Sequence, residues 1–138
     1  MPTTPMPKNG SASQILIAGT SPINRIVVSK IAERAGLRSQ SEAPEDALSA
    51  FEDLRPALVI ADGGSSNSDC DGLLAGLKDI RLRSNASAPA VIFLCTAASD
   101  AAQLASLHGV DAVVAKPITP EGLQPVIERL VMRYLSRA

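Results

Sequence analysis

From Gln14 onward, short apolar runs alternate with segments whose apolar residues recur at helical spacing; the thirteen residues before it show neither pattern. Four runs, Ile15 to Ala18, Leu58 to Ala61, Ala90 to Cys95 and Val110 to Ala115, are short, rich in Val, Ile and Leu, and continuous rather than alternating. That is the signature of parallel strands covered on both faces. A fifth segment, Leu37 to Ser41, is more polar and suits an edge strand.

Amphipathic segments lie between the runs. The first opens with Ser21 as N-cap and Pro22 at the first helical position, places Ile23, Ile26, Val27, Ile31 and Ala35 on one predicted face, and stops at Gly36. Ala47, Leu48, Phe51 and Leu54 predict a helix after Pro44, and Leu73, Leu74, Leu77 and Ile80 another after Gly72. An Ala-rich fourth runs from Ser99 to about His108 and ends at Gly109. The last has the clearest stripe: Leu123, Val126, Ile127, Leu130, Val131, Tyr134 and Leu135. Thr119 and Pro120 resemble its start, yet Pro125 then falls one turn inside, so the helix either begins nearer Gly122 or is kinked in its first turn. No repeat with a period of 20 to 50 residues interrupts this order.

Strand and helix thus alternate five times, with connections short enough for right-handed crossovers only. The expected fold is α/β, a flavodoxin-like doubly wound parallel sheet in the order 2-1-3-4-5, with function gathered at the carboxyl ends of the strands. The chain of 138 residues is sized for one domain, here 14–138, preceded by a disordered tail or linker at 1–13 that holds three prolines and lacks the apolar core of a signal peptide. A cytoplasmic protein is expected.

Composition narrows the function classes. A net charge of -1 and three aromatics, none of them Trp, provide neither the basic footprint nor the stacking platform of a nucleic-acid binder. No apolar run is long enough to cross a membrane. Cys70 and Cys95 have no CxxC spacing and only His108 for company, so free thiols are expected rather than a zinc site; Cys70 reads as a loop thiol and Cys95 as a core thiol. No nucleophile stands at a useful spacing from His108, and no enzyme activity is expected.

The residues that follow the buried runs carry the candidate chemistry. They are Gly19-Thr20-Ser21, then Asp62, then Thr96, then Lys116-Pro117. A carboxylate, a hydroxyl and an ammonium at matching strand ends converge on one crevice. Taken with the segments ILIAGTSPINRIVVSKI, PALVIAD, VIFLCTA and GVDAVVAKPITPEGL, this placement resembles the CheY-like receiver domains of two-component response regulators, over roughly Gln14 to Leu135. The PINR and KPITPE segments look most like receivers of bacterial hybrid histidine kinases. The resemblance implies that Asp62 accepts a phosphoryl group from a phosphohistidine, that Thr96 hydrogen-bonds it and Lys116 pairs with it, and that Pro117 is a candidate cis-proline. It implies a histidine kinase or histidine phosphotransfer protein as partner, docked in part by the first helix with its Arg25, Lys30 and Arg34. It leaves open a homodimer, a contact with a kinase domain of the same chain, and whether the chain stands alone or belongs to a larger kinase.

The chain departs from the family at three places. Gly19 and Thr20 stand where receivers carry two acids that help hold Mg2+, so the metal set shrinks to Asp62 and the Gly64 carbonyl, and no cofactor is expected. The loop from Gly63 to Gly72 is about two residues longer than usual; Asp69 and Asp71 within it are expected to cap the third helix rather than act as surrogate ligands. Val113 stands where an activating aromatic is expected. Without a metal, phosphoryl transfer loses several kcal/mol of charge stabilisation, on the order of a hundredfold or more in rate. The expected function is therefore an atypical, pseudo-receiver docking module with Asp62 a slow or vestigial acceptor. The alternative is a phosphorylation-competent receiver; a remote one is a flavin or nucleotide phosphate held at Gly19-Thr20-Ser21, against which Pro22 and the shortage of aromatics count.

Overall fold

The computed structural model describes residues 11–83, 89–96 and 100–137. Strands and helices alternate as β1 (Ser11–Ala18), α1 (Pro22–Arg34), β2 (Arg38–Glu42), α2 (Pro44–Leu54), β3 (Pro56–Asp62), α3 (Asp71–Arg83), β4 (Ala90–Cys95), α4 (Ala101–His108), β5 (Ala112–Ala115) and α5 (Pro120–Arg137). The strands form one parallel sheet in the order β2-β1-β3-β4-β5, the flavodoxin-like arrangement expected.

Alternate residues of the central strands feed two cores. Ile15, Ile17, Leu58, Ile60, Ile92 and Leu94 meet α1 and α5 through Val28, Ile31, Leu123, Ile127 and Leu130. Leu16, Val59, Ala61, Val91 and Phe93 face the other way and meet Ala47 and Phe51 of α2 and Leu73, Leu74 and Leu77 of α3. Both faces being covered, every residue of β3 is buried, which is why these runs read as continuous apolar sequence.

Several boundaries differ from expectation. β1 begins at Ser11, three residues before Gln14, with an irregularity between Ser11 and Ile15 in its pairing with β3; residues 1–10 of the expected tail lie outside the described residues. β2 is shifted by one residue from Leu37 because Leu37 N–H closes α1 on the Ala32 carbonyl, beside a left-handed Gly36 at φ +81°. β5 is two residues shorter because Asp111 turns aside to bind Arg81 and the Val91 N–H. α4 begins at Ala101 with Asp100 as its N-cap, where the helix was expected from Ser99; Ser99 lies outside the described residues. α5 takes the earlier of its two starts: Thr119 Oγ1 accepts from Gly122 N–H at 3.0 Å, and Pro125 is carried inside the helix on an exposed position.

The α1 stripe is corrected. Its buried residues are Val28, Ile31 and Ala32, whereas Ile23 and Ile26 are 72% and 58% exposed. Ile26 is two residues from Val28, about 200° around the helix, so both cannot face the sheet. Among the described residues, no helix is long and apolar enough to cross a membrane.

Candidate functional site

β3 ends on Asp62, level with Leu94 of β4. Its side chain rises at the carboxyl edge of the sheet but stays 4% exposed, the one buried charged residue among those described. Three donors hold it. Lys116, directly after β5, sets its Nζ 2.6 Å from Asp62 Oδ1; the Gly64 N–H donates to the same oxygen at 2.9 Å; Asn24 Nδ2 donates to Oδ2 at 2.9 Å. Burial pushes the carboxyl's pKa up, but the hydrogen bonds from Lys116, Gly64 and Asn24, with the Lys116 charge, outweigh it and hold the group below its ordinary 3.8.

The other strand ends frame this carboxylate. Thr96 follows β4, its N–H donating to Asn67 Oδ1 at 3.0 Å. Lys116 N–H is fixed by the Cys95 carbonyl at 2.9 Å, and the Lys116–Pro117 peptide is cis. Val113 lies in β5 opposite Phe93 of β4, and the Phe93 ring is fully buried.

Gly19 and Thr20 end β1 in different ways. Gly19 is buried flat on Asp62, where an added Cβ would stand 3.0 Å from Asp62 Cβ and 3.6 Å from Oδ2. Thr20 is exposed and turned away, its Oγ1 donating to Asp69 Oδ2 at 2.9 Å. Asp69 does not cap α3: its N–H donates to the Gly63 carbonyl at 3.1 Å, and its carboxylate lies against Gly64, which takes φ +73° and has no room for a Cβ. The cap position falls to Cys70, whose carbonyl accepts from Leu74 N–H, while Asp71 is the first helical residue.

Cys70 lies in the loop between β3 and α3, as expected, but its thiol is turned into the core. It is buried, and its Sγ donates to the Asp62 carbonyl at 3.3 Å. Burial, then the negative charges of Asp62, Asp69 and Asp71, push its pKa up to about 12. Cys95 is a buried free thiol. His108 is the last residue of α4, and its side chain lies outside the described residues.

A hard dication asks for several anionic oxygens. Both oxygens of Asp62 already accept hydrogen bonds, and the Asp69 carboxylate, which lies against Gly64, takes the Thr20 hydroxyl. No three His, Cys, Asp or Glu side chains converge elsewhere among the described residues. This is a sparse donor set for Mg2+. A phosphate pocket at Gly19-Thr20-Ser21 fits no better, since the Thr20 hydroxyl is given to Asp69 and Ser21 Oγ accepts from Asn24 N–H.

Asn24 was not among the expected site residues. A signal for it exists: it precedes Val28 and Ile31 by four and seven residues, so it is a polar side chain on the buried line of α1. On the outer side of α1, Pro22, Arg25, Ile26, Ser29, Lys30 and Ser41 are among the residues lining an open groove of about 410 Å³.

No protein-family model matches the chain, and no curated protein matches its sequence. Solved structures do. The response regulator receiver domain protein from Clostridium thermocellum shares 20% identity over 90% of this chain and 98% of its own, at a TM-score of 0.71. Vibrio cholerae chemotaxis protein CheY4 shares 21% over 86% and 98%, at 0.69. The co-crystal structure of the Saccharomyces cerevisiae histidine phosphotransfer protein Ypd1 and the receiver domain of its response regulator Ssk1 matches at 14% over 91% and 91%, at 0.74. With its five parallel strands in the order 2-1-3-4-5, the chain has the fold of response regulator receiver domains.

Proposed function

We propose that this chain is an atypical receiver module of a two-component phosphorelay, which docks a histidine phosphotransfer protein or histidine kinase and offers Asp62 as a slow phosphoacceptor. The observation that carries this reading is the 2.6 Å contact of Lys116 with Asp62 across the ends of β5 and β3, with Thr96 ending β4 between them. In the transfer, an Asp62 oxygen attacks phosphorus, the P–N bond to the donor histidine breaks, and the released imidazole nitrogen takes a proton from water. Lys116 supplies the positive charge facing the phosphoryl oxygens. With one ammonium and no dication, the step is slow, and Mg2+ binding is weak. The chain carries a signal and turns over no substrate of its own.

The exposed Ile23 and Ile26, bordered by Arg25 and Lys30, support docking through α1. An apolar centre with a charged rim of Arg25, Lys30 and Glu33 suits a partner helix that presents apolar residues flanked by charges. A complex of receiver and histidine phosphotransfer protein exists for Ssk1 and Ypd1, and the same kind of partner is proposed here.

Calorimetric titration with histidine phosphotransfer proteins from the organism that makes the chain tests the docking role. Wild type and Asp62→Asn are expected to bind one of them alike, and Ile26→Glu at least tenfold more weakly with Tm unchanged. Binding that is absent throughout, or unaffected by Ile26→Glu, contradicts the reading.

A further inference from the structure

The ladder between β3 and β4 ends in an exchange of partners. Asp62 pairs with Leu94, and the Gly63 N–H still donates to the Leu94 carbonyl at 3.0 Å. In a parallel ladder the N–H and C=O of one residue bond residues two apart on the neighbouring strand, so the next rung would join the Gly63 carbonyl to the Thr96 N–H. That carbonyl takes the Asp69 N–H instead, at 3.1 Å, which closes the loop after β3 on itself. The Thr96 N–H goes to a side chain of that loop, Asn67, whose Oδ1 accepts it at 3.0 Å.

Asn67 is suited to this place by its backbone. It takes φ +61°, in the left-handed region that Asn and Gly enter most readily. Its Cα lies close over Gly63, where an added Cβ would stand 2.9 Å away. Ser66 and Ser68 on either side are exposed and bond each other at 2.6 Å, whereas Asn67 between them is half-buried and reaches inward. On its other side β4 keeps a backbone rung at this level, from Lys116 N–H to the Cys95 carbonyl at 2.9 Å.

We propose that Asn67 is a positioning residue of the pocket: its amide stands in for the rung that β3 withholds, and so holds the Thr96 backbone at the end of β4, between Asp62 and Lys116. The role of Thr96 toward a phosphoryl group rests on the receiver function proposed above; its anchoring by Asn67 does not.

Amide hydrogen exchange of 15N-labelled wild type, Asn67→Gly, Asn67→Asp and Ser68→Gly tests the anchoring with no phosphodonor present. The Thr96 amide is read against that of Leu94 in the same strand. Asn67→Gly keeps the left-handed backbone and removes the acceptor, so Thr96 should exchange about fivefold faster or more relative to Leu94, the factor that one net hydrogen bond corresponds to. Asn67→Asp supplies an oxygen again and should restore the protection. Ser68→Gly loosens the same loop but keeps the Asn67 amide, and should leave Thr96 as in wild type. Equal Thr96 exchange in wild type and Asn67→Gly, or a loss as large in Ser68→Gly, overturns the proposal. Labelling of Asp62 by a phosphorylated histidine phosphotransfer protein that the wild type binds then reads the consequence. Asn67→Gly is expected to label at no more than about a third of the wild-type rate, and Ser68→Gly at the wild-type rate. Equal rates for wild type and Asn67→Gly overturn the positioning role. A wild type that takes no label contradicts the receiver reading, and the exchange result still decides the anchoring.

Discussion

Lys116 Nζ lies 2.6 Å from Asp62 Oδ1, which neutralises the one buried charge among the described residues inside its own pocket. Replacing Lys116 by Met leaves Asp62 with burial opposed only by Gly64 and Asn24. The Asp62 pKa is expected to rise, read by carboxyl 13C NMR titration. Removing one partner of a fully buried pair costs about 3–5 kcal/mol; because the Lys116 side chain is 22% exposed, solvent screening reduces the expected loss to about 1–3 kcal/mol.

The same pocket gives a pH dependence. The folded pKa of Asp62 lies below its ordinary 3.8, so its contribution to stability is complete above that value and is lost as the pH falls from there through the lower folded value. Urea unfolding of wild type between pH 6 and about pH 2.5 should show this loss. Asp62→Asn, which has no carboxyl to protonate, should lose less stability over the same range.

Arg81 joins the end of α3 to the starts of β4 and β5. It pairs with both oxygens of Asp111 at 2.9 and 2.8 Å and donates to the Gly109 carbonyl at 2.6 Å, while Asp111 also accepts from Val91 N–H at 2.8 Å. Asp111→Ala leaves the Val91 N–H without that acceptor and should cost about 2–3 kcal/mol in denaturant unfolding. The exposed pair Arg83–Asp79 makes the control: Arg83→Ala should cost no more than about 0.5 kcal/mol.

Gly63, next to Asp62, leaves no space above Phe93. An added Cβ would stand 2.6 Å from the Phe93 ring and 2.9 Å from the Asn67 Cα. Gly63→Ala is expected to cost about 1–3 kcal/mol by overpacking. Phe93→Ala should cost about 3–5 kcal/mol through the cavity it leaves. The double variant Gly63→Ala/Phe93→Leu should be more stable than the sum of its single losses, because the ring clash is gone and only the Asn67 contact remains.

Cys70 is shielded by burial and by an elevated pKa of about 12. A thiol reagent at pH 8 should leave it unmodified in the folded protein and react once urea unfolds the chain, because thiolate is the reacting form.

The elements that the sequence made legible are those whose burial repeats along the chain. Leu58 to Ala61 and Ala90 to Cys95 are covered on both faces, so each run announces a strand, and the polar residues just beyond, Asp62, Thr96 and Lys116, fall at the strand ends as expected. What was not legible depends on the rotation of a helix or the path of a loop. Ile23 and Ile26 have helical spacing but lie outside, because packing of Val28 and Ile31 against α5 sets the phase of α1. Asn24 reaches the site by that same rotation. Asp69 turns back to Thr20 and Cys70 drops into the core because the loop after β3 folds over Gly63 and Gly64, and local propensity predicted caps there instead.

The central claim, a receiver-type carboxylate that accepts slowly because its charge is already balanced and its second oxygen already bonded, is tested most directly by the rate of phosphoryl transfer to Asp62. Wild type and Asp62→Asn are incubated with a phosphorylated histidine phosphotransfer protein that the wild type binds, in the presence of Mg2+, and labelling is followed over time. Label that appears on wild type over minutes or longer, shows little dependence on Mg2+, and is absent from Asp62→Asn is the predicted result. Stoichiometric, Mg2+-dependent labelling of Asp62 within seconds would contradict it.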